Sequence, residues 1–352
     1  MPTQKTDEQP SQSPQPTPVR NWLWLWLCLT GMAMLSAAGG GLLAVSFSST
    51  PLLQRHLTPQ EAAVFGKGGS LTNSNLQLPE LTRPVNILVM GMSVLTADVG
   101  ESPRSRNLNY EAQVNSFDGL SDVMMLLRFD PETKKINILS IPRDTRIEMD
   151  GYGQVKINAT NVNGGPAGSA RAVSNLLGGV QIDRYLRVNV GGVQKLVDAL
   201  GGVTVYVPKD MKYQDDTQHL YINLKKGRQH LNGDQTLQLL RFRHDQDGDI
   251  GRISRQQMVM RALMEQSLNP ATVTRFPQIL NVIQSNLDTN LSVEELVALL
   301  GFSVKIDRSK VQMLTLPGDS NGNGRHDVSY WLPNYSGIQK LMARYFAQEN
   351  QQ

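Results

Sequence analysis

Four short basic segments and one misplaced carboxylate are the residues of this chain with the means to do chemistry. The first is Ile141-Pro142-Arg143-Asp144-Thr145-Arg146, directly after an apolar strand-like run. An arginine at the end of a strand in an α/β sheet points toward the crevice where ligands bind. The second is Lys156-Ile157-Asn158, in a loop. The third is Arg241-Phe242-Arg243, whose two guanidinium groups share a face only on extended backbone. The fourth is Gly251-Arg252-Ile253-Ser254-Arg255-Gln256-Gln257. On a helix, Arg252, Arg255 and Gln256 fall at i, i+3 and i+4 and face one way. Residues 241–261 hold five arginines and no lysine. Arginine is the side chain suited to bidentate recognition of phosphate, so a phosphate or pyrophosphate ligand fits better than a sugar alone. The same arginines could also be surface ion pairs with Asp245, Asp247 and Asp249, and spacing by itself does not decide.

Asp122 opens the apolar run DVMMLLRF. Aspartate is disfavoured in strands, so its place at a strand mouth suggests a hydrogen-bonded or metal-binding role, or a turn residue closing the preceding loop. Beside a phosphate ligand it would hold Mg²⁺, which takes oxygen ligands. Asp319-Ser320-Asn321-Gly322-Asn323-Gly324 copies half of a calcium loop, but its twelfth position is Tyr330 instead of Glu, so a Gly/Asn turn is the better reading. The five histidines lack zinc spacing.

These residues need elements to position them. VNILVMGM (85–92), DVMMLLRF (122–129), KINILSI (135–141) and VTVYV (203–207) read as strands. Helical patterns lie at about 168–178, 191–200, 233–240, 253–267, 274–286, 292–302 and 335–347. Thr58 with Glu61 and Ser292 with Glu295 form capping boxes. Strands alternating with helices imply a three-layer α/β/α sandwich around a central mixed sheet.

The layout of the chain is lopsided. Residues 1–20 are rich in Pro, Gln, Ser and Thr and read as a disordered cytoplasmic tail. Residues 22–45 carry no charge over 24 positions, and three tryptophans cluster at their amino end. Roughly 20 apolar residues span a bilayer, so 21–46 reads as a transmembrane signal anchor, with a cleaved signal peptide as the competing reading. Arg20 places the tail in the cytoplasm and the rest outside, a single-pass cell-membrane protein. Residues 47–84 form a spacer, 85–268 the core, and 269–350 a helical and strand part packing on it. Charged residues at 18% and apolar residues at 40% exclude a disordered chain, and one cysteine, Cys28, excludes an intramolecular disulfide framework. A net charge of +3 gives no case for nucleic acid, and no helix-turn-helix pattern is evident.

Taken in order, NILVMGM, GLSDVMMLL, ILSIPRDTRI, KIN with the later NGG, LVDALGGVTVYVP, LNGDQTLQLLRFRHDQDGDIGRISRQQ, LPGDSN and SYW give the chain its resemblance to the LytR–CpsA–Psr family of cell-wall glycopolymer transferases, over about residues 80–350. The resemblance implies an extracytoplasmic domain that binds a polyprenyl-pyrophosphate-linked glycan and transfers glycan phosphate to peptidoglycan, assisted by Mg²⁺, with pyrophosphatase activity besides. It implies pyrophosphate contacts from Arg143, Arg241, Arg243, Arg252 and Arg255, with Gln256 assisting and Arg146 and Lys156 behind them. Asp122 would hold the metal. One departure stands out: where the family has a second carboxylate, in a G-x-D pattern, this chain reads Gly91-Met92-Ser93. Asp98 or Asp118 could replace it. The departure leaves open a non-catalytic module that only binds lipid-linked glycan.

Overall fold

In a computed structural model, the described residues are 57–66, 71–72, 79–92, 116–216, 220–242, 248–267, 275–320 and 330–347. The chain divides into two compact units, 1–50 and 51–352, and all described residues belong to the second. The anchor expected at 21–46 lies outside them, as do Ser93, Asp98 and Arg243. Among the described residues no helix is long and apolar enough to cross a membrane.

A short helix α1 (Pro59–Ala62) starts at the Thr58–Glu61 capping box, present with both of its hydrogen bonds. Next come strands β1 (Val85–Met92), β2 (Ser121–Asp130) and β3 (Lys135–Ile141), then a hairpin of β4 (Arg146–Met149) and β5 (Gly153–Lys156). A 3₁₀ turn, Ile157–Ala159, leads into α2 (Thr160–Leu176). This helix begins earlier than its pattern suggests and bends at Gly165, whose φ of 60° only glycine takes readily, just before Pro166. The sequence then runs through β6 (Arg184–Val188), α3 (Val190–Leu200), β7 (Val203–Val207), β8 (Met211–Asp215), β9 (Leu220–Leu224) and β10 (Gly227–Leu231). Helices α4 (Gly233–Arg241), α5 (Gly248–Ser267) and α6 (Phe276–Asn286) follow, then β11 (Leu287–Thr289), α7 (Val293–Lys305), β12 (Val311–Thr315), β13 (Gly318–Ser320), β14 (Trp331–Pro333) and α8 (Tyr335–Tyr345).

Six strands make the central sheet in the order β11-β6-β1-β2-β3-β12. It is mixed: β1 runs parallel to β6 and β3 parallel to β12, while β1–β2, β2–β3 and β6–β11 are antiparallel. Period-two alternation sends Leu88, Met90, Met124, Leu126, Leu139 and Ile141 to one face, against Ala167, Ala170 and Val173 of α2 and Ile338 of α8. Ile87, Met125, Phe129, Ile136 and Ile138 go to the other face, against Ala298 and Leu299 of α7. A sheet clad on both faces explains why these strands read as continuous apolar runs. Both edge strands, β11 and β12, come from the region after residue 268. A separate cluster lies between the ribbons β7–β10 and β8–β9 and the helices α4 and α5; Val205, Ile222, Leu239 and Val259 are among its members.

Buried polar side chains tie remote parts to the sheet. Arg128 donates to the Ala347 carbonyl at 2.9 Å, and Asn137 donates to the Tyr345 carbonyl at 2.7 Å, so both grip the carboxyl end of α8. A cation there complements the helix dipole. Burial lowers the pKa of Arg128, and Asp130 opposes that shift. Glu295 closes the Ser292 capping box and also pairs with Arg184 at 2.7 Å.

Candidate functional site

The carboxyl ends of β1, β3 and β6 and the amino end of β2 share one edge of the sheet. In open α/β sheets this is the edge where ligands bind. Asp122, second residue of β2, and Arg143, two residues past β3, meet there: Nη1 of Arg143 lies 2.7 Å from Oδ1 of Asp122. The Arg143 Nε is 3.4 Å from Asp144, and Asp144 accepts from the Lys156 ammonium at 2.7 Å. Two carboxylates and two cations thus form one chain of contacts: Asp122, Arg143, Asp144, Lys156. Arg146 stands directly opposite Lys156 in the β4–β5 hairpin. Like charges placed so are unfavourable unless an anion lies between or beside them. Asp144, on the Lys156 ammonium, supplies part of that compensation.

Backbone bonds fix this corner. Thr145 Oγ1 donates to the Pro142 carbonyl at 2.6 Å, and Ile157 N donates to the Thr145 carbonyl at 2.8 Å. Trp331 N donates to the Asp144 carbonyl at 2.9 Å, bringing β14 against the Arg143 loop. Gly318 permits that approach: a Cβ there would sit 2.3 Å from the Trp331 indole nitrogen and 2.6 Å from the Leu332 carbonyl.

The second arginine group arrives on two helices. Arg241 is the last residue of α4, and Phe242 caps that helix with extended backbone. Arg241 is therefore helical, and the extended backbone expected across Arg241-Phe242-Arg243 is seen at Phe242, with Arg243 outside the described residues. Arg241 is half-buried, and its side chain makes no hydrogen bond or ion pair among the described residues. Arg255 and Gln256, adjacent on α5, take different partners. Arg255 is buried, donates to the Phe242 carbonyl at 2.6 Å and lies over the Phe242 ring. Gln256 reaches within 3.5 Å of the Asp122 carbonyl. Two consecutive residues of α5 therefore link the end of α4 to the mouth of β2. Arg252 belongs to α5, but its side chain is outside the described residues.

Asp118 is exposed, and its amide donates to Ser116 Oγ. Among the described residues no three His, Cys, Asp or Glu side chains gather as a metal cage. Mg²⁺ does not need one, because it binds through one or two carboxylates and completes its shell with phosphate oxygens and water. Asp122 fits that role. Asp319 and Ser320, the start of the calcium-like stretch, are strand residues paired with Leu332 and Trp331, and 321–329 lie outside the described residues.

Sequence reasoning missed one constellation. Arg187 and Asp288 form an ion pair with side chains only 3% and 4% exposed. Asp288 also accepts from the Tyr185 hydroxyl, and Arg187 donates to Asn161 Oδ1 at 3.1 Å. A charged residue in a short strand is the only signal these positions give.

Comparison with known proteins shows the family and the fold. "Polyisoprenyl-teichoic acid--peptidoglycan teichoic acid transferase TagV" of Bacillus subtilis is 31% identical over 228 residues, covering 63% of this chain and 58% of that protein. "Regulatory protein MsrR" of Staphylococcus aureus is 31% identical over 236 residues, covering 66% of this chain and 64% of its own. The match thus spans about three-fifths of the length of these curated relatives. The crystal structure of B. subtilis TagV superposes with a TM-score of 0.60 at 27% identity, over 74% of this chain and 96% of that one. The LytR_cpsA_psr family matches residues 60–346, and the chain belongs to that family.

Proposed function

We propose that this chain is a membrane-anchored, extracytoplasmic phosphotransferase of cell-envelope assembly. It moves a glycopolymer phosphate from a polyprenyl-pyrophosphate-linked donor to peptidoglycan. The observation that carries this reading is the Asp122–Arg143–Asp144–Lys156 chain at the ligand edge of the sheet, in a member of this family. The name of the TagV relative, a teichoic acid transferase to peptidoglycan, supports the same reaction class.

The chemistry asks for placement and charge stabilisation more than for covalent help. An acceptor hydroxyl oxygen bonds the glycan-side phosphorus, the P–O bond to the polyprenyl phosphate breaks, and the departing polyprenyl phosphate takes up the hydroxyl proton. Water in place of the hydroxyl gives pyrophosphate hydrolysis. Arg143, already oriented by Asp122 and Asp144, presents a planar fork to phosphate oxygens. Arg241 offers a second cation from the end of α4. Lys156 and Arg146 extend the positive surface along the hairpin. Arg243 and Arg252 belong to the same proposal by family resemblance, whereas Arg255 holds Phe242 at the end of α4. Asp122 would hold Mg²⁺, which when bound would draw charge from the departing phosphate. An anchor at 21–46 would keep the domain on the membrane that carries the donor, which raises the effective concentration of the two.

The test is release of polyprenyl phosphate from a polyprenyl-pyrophosphate-linked saccharide, with peptidoglycan fragments as acceptor. Arg143→Ala and Arg241→Ala should each slow release; if both match wild type, the site is misassigned. Ser93 in place of a carboxylate favours one second reading, a module that binds the lipid-linked glycan without turnover. Tight donor binding with no product at any Mg²⁺ concentration would select it.

A further inference from the structure

The segment that delivers Asp122 to the site is held from beneath by a polar network outside the anion-binding cluster. Asn161, in the first turn of α2, donates its amide to the Phe117 carbonyl at 2.9 Å and the Gly119 carbonyl at 2.7 Å. The same amide lies 3.3 Å from the Met92 sulfur at the end of β1. Its carbonyl oxygen accepts from Arg187, which also donates to the Phe117 carbonyl at 3.1 Å and lies over the Phe117 ring. Arg187 is fixed in turn by Asp288, at 2.6 Å from its Nε. One residue group thus grips the end of β1 and the entry to β2.

The 3₁₀ turn just before Asn161 grips the other partner. Asn158 N donates to the Arg143 carbonyl at 3.1 Å, and the Asn158 carbonyl accepts from Ser121 Oγ at 3.3 Å. Ser121 is the neighbour of Asp122. The backbone of one turn therefore touches both sides of the Asp122–Arg143 pair, and Asn161 locks that turn to the loop leading into Asp122.

Burying an arginine–aspartate pair costs desolvation that its attraction offsets only with full hydrogen bonding. Such a pair is weak evidence for stability, and its value here is in geometry. We propose that Asn161, braced by Arg187 and Asp288, is a positioning residue that sets where Asp122 meets Arg143 during phosphoryl transfer. The inference rests on the transferase reading. It concerns residues that neither touch the anion-binding surface nor carry a family role in that reading.

The decisive experiment is a double-mutant cycle on the full chain, with enzyme in excess so that slow variants stay measurable. The probe is a synthetic polyprenyl-pyrophosphate-linked disaccharide, and the readout is polyprenyl phosphate released. Asn161→Ala should lower the single-turnover rate on the order of a hundredfold, because small misplacements near reacting groups are that costly. The apparent donor affinity should stay within about twofold. In an Asp122→Asn background, the same Asn161→Ala change should cost no more than about twofold, since both act through one group. Additive losses would overturn the proposal, as would an Asn161→Ala rate equal to wild type. If Asn161→Ala folds poorly, Asn161→Ser replaces it, retaining a small polar group toward Arg187. Hydrogen exchange then tests the geometry without substrate. Exchange in 116–122 should quicken in the Asn161 variant while β7–β10 stays protected; unchanged exchange, or loss of protection throughout, overturns the proposal. A wild-type chain that binds donor but releases nothing defeats the transferase reading instead, and the exchange result still decides the role of Asn161.

Discussion

Two arginine–aspartate pairs in this molecule share their chemistry and differ in their surroundings. Arg143–Asp122 stands at the sheet edge with side chains 18% and 16% exposed. Arg187–Asp288 lies beneath it, almost wholly shut off from water. The outer pair is joined to Asp144 and Lys156 and can trade contacts with an incoming anion. The inner pair is committed on every side: Asn161, Phe117 and Tyr185 complete its hydrogen bonding. The lesson is that an ion pair's burial, more than its partners, decides whether it serves binding or architecture.

Breaking the inner pair should have the largest effect. Asp288→Ala leaves the Arg187 charge buried and uncompensated, which costs about 3–5 kcal/mol. Urea unfolding should show the midpoint falling at unchanged slope. Replacing both members, Arg187→Leu with Asp288→Leu, should destabilise less than Asp288→Ala alone, because no orphan charge remains. If the double variant is the worse of the two, the inner pair is itself a major source of stability.

The outer pair should behave in the opposite way. Arg143→Ala should lower kcat/KM on the order of 10²-fold or more, the scale of losing one preorganised charge donor. Its unfolding midpoint should barely move, since partly exposed pairs contribute about 1 kcal/mol or less. A large stability loss with intact transfer would erase the distinction between the two pairs.

An intermediate case sharpens the scale. Glu295 caps α7 and pairs with Arg184 through both oxygens, with little exposure. Glu295→Ala should cost about 2 kcal/mol in thermal or urea unfolding, from the cap and the pair together. At the far end stands Lys305–Glu80, with side chains 69% and 67% exposed. Lys305→Ala should leave the unfolding midpoint unchanged, and raising the salt concentration should not alter that result.

Much of the frame is legible in the sequence. The apolar runs at 85–92, 122–129 and 135–141 became three adjacent interior strands, each buried on both faces. Both capping boxes formed because a Ser or Thr followed by Glu three residues later satisfies orphan amides locally. Arg143 stood out as a cation directly after an apolar strand-like run, and Asp122 as a carboxylate at the mouth of one. Strands β6, β11 and β12 were not legible. Arg184-Tyr185-Leu186-Arg187-Val188 mixes charge with apolar residues, and Leu287-Asp288-Thr289 is too short to show a period. Their strand character comes from pairing with partners already in the sheet.

The sequence alone determined the residue types for anion chemistry, the local caps and turns, and the family the chain resembles. These depend on neighbours a few positions apart, where periodicity and side-chain reach are fixed by local geometry. The tertiary structure decided that Arg255 turns inward to Phe242, that Gln256 reaches the mouth of β2, and that Arg187 meets Asp288 across 101 positions. No local rule gives those outcomes. Each follows from which elements become neighbours in space, and from the need of every buried charge to find its partner there.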